Sequence, residues 1–174
     1  VTVIEDLAYF GMDFRNDISS PGEAPFQPTA ASYTDNWLML ISSSKAFSYA
    51  GQRIGMMVVS PTLFNRRFED LKRYYSSDKF GHAMVYGALY ALSAGAAHTP
   101  QYALAAILKA VNEGEFDYLD VVKEYGKKAK IMKRLFLDNG FKIVYENDLE
   151  VPIADGFYFT IAYPGFDGTE LVEE

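Results

Sequence analysis

The feature that most constrains this chain is an abrupt change of character. The apolar run Trp37-Leu38-Met39-Leu40-Ile41 stops at Ser42-Ser43-Ser44 with no polar alternation before it. A strand with one solvated face alternates apolar and polar residues, whereas a strand buried on both faces does not, and such strands belong to sheets covered by helices. The run therefore predicts an α/β protein. Val1 to Glu5 is a second strand candidate, β-branched and ending in acidic residues as a strand does when its carboxyl end meets a crevice, with Asp6 at that end. A third strand is expected over Ile54 to Val59. Between the first two strands, Gly11 to Asp35 is rich in Pro, Ser, Thr and Gly and reads as a long functional loop.

Helix punctuation follows. Ser60-Pro61 places a capping hydroxyl before a proline at the first helical position, where the missing N–H is not needed, and Thr99-Pro100 repeats the device. Helices are expected from about Thr62 to Tyr75, Gly81 to Ala96 and Pro100 to Val111. A long charged amphipathic helix, roughly Phe116 to Asp138, then ends at Asn139-Gly140, a left-handed stop. The composition shift at Glu113-Gly114 sets the domain boundary: residues 1–113 in one domain, and 114–174 as a connecting helix and the start of a smaller α+β domain. Phe141 to Tyr145 and Phe157 to Ala162 read as strands of that second domain, and Asp167 to Glu174 as the beginning of a helix.

Composition narrows the function. Hydrophobic residues make up 49% of the 174, enough for a packed core rather than a disordered chain. A formal net charge of -7 speaks against a nucleic-acid or anionic-membrane surface, because both require clustered cations. The absence of cysteine removes disulfides and thiolate metal sites and fits a reducing compartment, with the cytoplasm as the default. No apolar run reaches the roughly 20 residues needed to span a bilayer. His82 and His98 are the only histidines, too few and too separated for a metal site, and structural roles are expected for both.

The chemistry concentrates in Ser42-Ser43-Ser44-Lys45, followed after seven residues by Arg53-Ile54-Gly55. Hydroxyls and a guanidinium fork converging on one point suit a phosphate dianion. Taken alone, a lysine after a strand is most often a solvated surface group, and three serines are equally a turn or a cap. Upstream, Asp6-Leu7-Ala8-Tyr9 is a second element. Together the two segments resemble the Ser-x-Ser-Lys…Arg-x-Gly and Asp-x-x-Tyr patterns of class I/II, fold-type I pyridoxal-phosphate (PLP) dependent aminotransferases. Ser60-Pro61, Thr99-Pro100-Gln101 and Gly156-Phe157-Tyr158-Phe159 resemble further, less specific family segments.

The resemblance implies an α/β chain made of part of the large PLP-binding domain, a mostly parallel sheet with helices, followed by the first part of the small domain. It implies that Lys45 holds the cofactor as an imine and, once freed by an amino-acid substrate, moves the proton at the substrate α-carbon. Ser42, Ser44 and Arg53 would hold the phosphate, Asp6 would keep the ring nitrogen protonated, and Tyr9 would donate to the ring oxygen. It further implies amino-acid and 2-oxo-acid substrates and a homodimer. The family's phosphate loop, ring-stacking aromatic, ring-oxygen asparagine and carboxylate-binding arginine have no match here. The chain is therefore expected to be an inactive piece, lacking a start methionine, that binds PLP weakly or not at all. Two alternatives stand beside this: another reaction of the same fold, such as C–S β-elimination or decarboxylation, and a non-catalytic α/β module.

Overall fold

A computed structural model describes residues 1–12, 24, 26–152 and 157–173. Residues 13–23 and 25 of the loop expected over Gly11 to Asp35, and Gly156 before the strand expected from Phe157, lie outside the described residues. The protein is mixed α and β. It divides into two units, one of residues 1–10 and 26–116, the other centred on residues 117–174 and including Gly11 and Met12.

The first unit is built on a three-stranded sheet, β1 (Val3–Leu7), β2 (Trp37–Ser42) and β3 (Gly55–Val59), in that order. β1 and β2 run parallel, from Val3 opposite Trp37 to Leu7 opposite Ile41. β3 runs antiparallel to β2, from Leu38 opposite Val59 to Ser42 opposite Gly55. The first strand lies two residues later than the sequence suggests, so Asp6 sits inside it rather than beyond its end. The apolar run in β2 predicts burial on both faces, yet only Leu38 is buried, while Leu40 on the same strand and Met57 on β3 stay exposed. One part of this sheet face is open among the described residues, and the candidate site lies there.

Ser60 caps α1 (Pro61–Asn65) as the sequence indicates: its Oγ accepts from the Leu63 N–H at 3.0 Å and donates to the Asp35 carbonyl, with Pro61 first in the helix. The helix expected to continue to Tyr75 stops after one turn. The backbone at residues 66–68 pairs instead with residues 78–80, through Phe68 N–H to the Asp78 carbonyl at 2.8 Å and Phe80 N–H to the Arg66 carbonyl at 2.9 Å. A short 3-10 turn, Glu69–Arg73, follows. Asp78, almost fully buried, fastens this detour with ion pairs to Arg67 at 2.8 Å and Lys72 at 3.3 Å. Burial alone would raise its carboxyl, but the two cations outweigh that effect and hold it below the ordinary carboxylate range.

The next helical run spans residues 80–93 as α2 (Phe80–His82), a π-wound segment Ala83–Tyr90 and α3 (Ala91–Ser93). Two glycines permit it to pack. A Cβ on Gly81 would stand 2.4 Å from the Phe64 ring, and one on Gly87 would stand 2.0 Å from Tyr75 Cδ1. α4 (His98–Asn112) starts two residues before the predicted Pro100, with Ala97 at the cap position and no side-chain cap. Thr99 therefore does not repeat the role of Ser60, and Pro100 occupies a first-turn position where the helix leaves N–H groups unpaired in any case. The helix ends at Gly114, φ +73, with Gly114 N–H on the Val111 carbonyl and Glu115 N–H on the Ala110 carbonyl. These are the paired bonds of a Schellman stop.

The second unit is dominated by α5 (Tyr118–Asp138), capped by Asp117 Oδ1, which accepts from the Leu119 and Asp120 N–H groups. Its apolar face buries Leu119, Val122 and Ala129, each large aliphatic side chain contributing about 1.5–3 kcal/mol. Gly140, φ +85, ends it as the sequence predicts. Gly140 N–H bonds to the Leu137 carbonyl, Phe141 N–H bonds to the Phe136 carbonyl, and the Phe136 and Phe141 rings meet at 5.6 Å to close the stop with an apolar contact. The strands here are shorter than expected: β4 (Lys142–Ile143) pairs with β7 (Ile161–Ala162), and β5 (Asn147–Asp148) with β6 (Val151–Pro152). Aromatic contacts of Phe141 with Tyr163 and of Phe136 with Phe159 hold the pairing to α5. α6 (Gly168–Glu173) begins at a reciprocal cap between Asp167 and Glu170.

Candidate functional site

In an open sheet with parallel strands, ligands gather beyond the carboxyl ends of those strands. Here β1 and β2 run the same way, and their register sets Asp6 opposite Leu40, two residues before Ser42. An open cleft of about 740 Å³ lies at this end of the first unit, and Asp6, Ser42, Ser44 and Arg53 all line it. That volume falls in the roughly 300–1,000 Å³ range of small-molecule sites. Four of the six residues singled out from the sequence therefore share one cavity, although Asp6 and Arg53 are separated by more than forty positions in the chain.

The loop between β2 and β3 explains how. Ser43, fully buried, turns away from solvent and donates its hydroxyl to the Ile54 carbonyl, so the two ends of the loop are clasped together. Its own carbonyl accepts from the Tyr49 N–H at 3.2 Å. With the middle serine spent on the clasp, its neighbours Ser42 and Ser44 stand at the cleft. Ser44 N–H donates to Ser42 Oγ at 3.1 Å, which leaves the Ser42 hydroxyl hydrogen available to a ligand. Arg53 adopts the left-handed backbone conformation, φ +52, and its Nη1 donates to the Ala50 carbonyl at 2.9 Å. That contact orients the guanidinium and occupies a single edge of it. Asp6 Oδ1 accepts from the Ala8 N–H at 3.0 Å.

Lys45 and Tyr9 are not among the residues that line the cleft. Lys45 follows Ser44 on a turn, half-buried, with its carbonyl accepting from the Ser48 N–H at 3.1 Å, and Tyr9 is 48% exposed beyond the end of β1. Sequence reasoning also missed a whole wall of the cavity. Val85 and Leu89 of the π-wound segment line it together with Gln101, Leu104, Ala105 and Leu108 of α4. The last four are spaced i, i+3, i+4, i+7, one face of a helix, and that spacing is the signal that could have found them.

Among the described residues no group of three or more His, Cys, Asp or Glu could hold a metal ion, and no helix is long and apolar enough to cross a membrane. No protein-family model matches the chain, and no curated protein matches it.

Proposed function

We propose that this chain carries the cofactor-binding part of a PLP-dependent aminotransferase, which moves an amino group between an amino acid and a 2-oxo acid. The observation that supports this most is the convergence of Asp6, Ser42, Ser44 and Arg53 on one cleft at the carboxyl ends of β1 and β2. The donor set suits a phosphorylated pyridine. Two hydroxyls and a guanidinium suit a dianion, while a carboxylate lining the same cavity suits a protonated ring nitrogen.

When bound, PLP supplies an aldehyde and an electron-accepting ring. The remaining work belongs to the protein. Ser42, Ser44 and Arg53 would hold the phosphate, and Asp6 would keep the ring nitrogen charged. Tyr9 would donate to the ring oxygen, and the Lys45 amine would serve as both covalent anchor and carrier of the α-proton. Neither side chain lines the cleft, so both Lys45 and Tyr9 must swing into it for these roles.

Borohydride reduction in the presence of excess PLP tests the assignment, because trapping accumulates even when binding is weak. Peptide mapping should place the adduct on Lys45 in preference to exposed lysines such as Lys109 and Lys123, and Lys45→Ala should abolish the dominant adduct. Labelling spread evenly over surface lysines would overturn the proposal.

A further inference from the structure

The cleft has two chemically different ends. The polar groups sit where β1 and β2 finish, whereas the rest of the wall is aliphatic, formed by Met56 of β3, by Val85 and Leu89 of the π-wound segment, and by Leu104 and Leu108 of α4. Leu104 is buried and Leu89 is about half exposed, so the wall continues from the core out to the cavity surface. The wall's one amide, Gln101, is already committed: its Nε2 donates to the Ala96 carbonyl at 3.0 Å and to the Ala97 carbonyl at 3.2 Å. Both amide hydrogens are therefore used. Among the described residues lining the cleft, Arg53 is the one cation, and Asp6 offers an anion in the same space.

From this polarity we infer that the cleft selects amino acids with aliphatic side chains over those with acidic ones, an inference that rests on the aminotransferase assignment above. With Arg53 taken by the phosphate, a side-chain carboxylate entering the aliphatic end meets no cationic side chain among the described lining residues, and it loses its hydration. A leucine-like side chain in the same place covers Leu89, Leu108 and Met56 and leaves no polar atom unpaired. Burying one aliphatic side chain, with no carboxylate desolvated, corresponds to a preference on the order of tenfold or more.

The test uses the intact chain and two stable conjugates, phosphopyridoxyl-leucine and phosphopyridoxyl-aspartate, as competitors of the Lys45 trapping reaction. The leucine conjugate should protect Lys45 at a concentration lower by about tenfold or more. Leu89→Lys, at a position exposed enough that folding is not at stake, should narrow or reverse that ratio by giving the aspartate side chain a partner. Circular dichroism of the variant should match that of the parent chain. Equal protection by the two conjugates, or better protection by the aspartate conjugate, would overturn the inference and leave the cofactor assignment standing. If Lys45 is not the preferred trapping site at all, the assignment fails, and the inference fails with it.

Discussion

Single atoms decide much of the packing in the first unit. Gly87 lies in a helical run, where alanine ordinarily gains about 1 kcal/mol over glycine. The Tyr75 ring stands where its Cβ would be, 2.0 Å from Cδ1, and overpacking of that kind costs about 1–3 kcal/mol. The steric effect wins. Gly87→Ala is expected to lower the thermal midpoint, and a Tyr75→Ala background should remove most of the damage done by the added methyl. Thermal unfolding of the four proteins in that cycle checks both statements, and a midpoint raised by the glycine substitution alone would contradict the packing. None of this is legible in the sequence, because Gly87 and Tyr75 are brought together only by the detour at residues 66–80. The serine triplet is a similar case. Its composition points to an anion site, but the division of labour, with Ser43 on the clasp and Ser42 and Ser44 at the cleft, depends on where the Ile54 carbonyl returns.

At the scale of elements, local chemistry was readable where it is self-contained. Ser60-Pro61 and Asn139-Gly140 mark helix ends because a cap needs only neighbouring residues. The continuous helix expected from Thr62 to Tyr75 was not borne out, since a tertiary pairing outcompeted helical propensity. The clamp behind that pairing gives a pH prediction. Asp78 has a folded-state pKa lowered from its ordinary value of 3.8 by Arg67 and Lys72. Its contribution is therefore present above the unfolded value, about pH 4, and is lost as the pH falls through the lowered folded value. The stability gap between the parent chain and Asp78→Asn, measured by chemical denaturation, should be constant near neutrality and close below about pH 4. A gap unchanged at low pH would show that the carboxylate charge is irrelevant to the clamp. The π winding of Ala83–Tyr90 left no sequence trace either. That stretch is apolar nearly all round, so no polar face reports its period. The α4 side of the same wall did leave a trace, in the helical spacing of Gln101, Leu104, Ala105 and Leu108.

At the scale of the whole molecule, the sequence conveyed a chain that mixes helices and strands. It did not convey the antiparallel sense of β3, which is set by how the clasped loop folds back rather than by the residues of the strand. One further consequence comes from Gly11 and Met12. Both are buried and both group with the second unit, although the residues before them belong to the first, and Gly11, at φ +74, lies beside the Tyr118 ring. The polypeptide thus changes unit early as well as late, and a single scission between Phe116 and Asp117 would leave the later fragment still gripping a stitch from the earlier one. Limited chymotryptic cleavage at Phe116 should accordingly yield two fragments that travel together in native gel filtration and part only in denaturant. Separate elution without denaturant would mean that the stitch does not hold. Nicked but unparted, the molecule would behave as a complemented pair, with its halves able to find each other again after mixing.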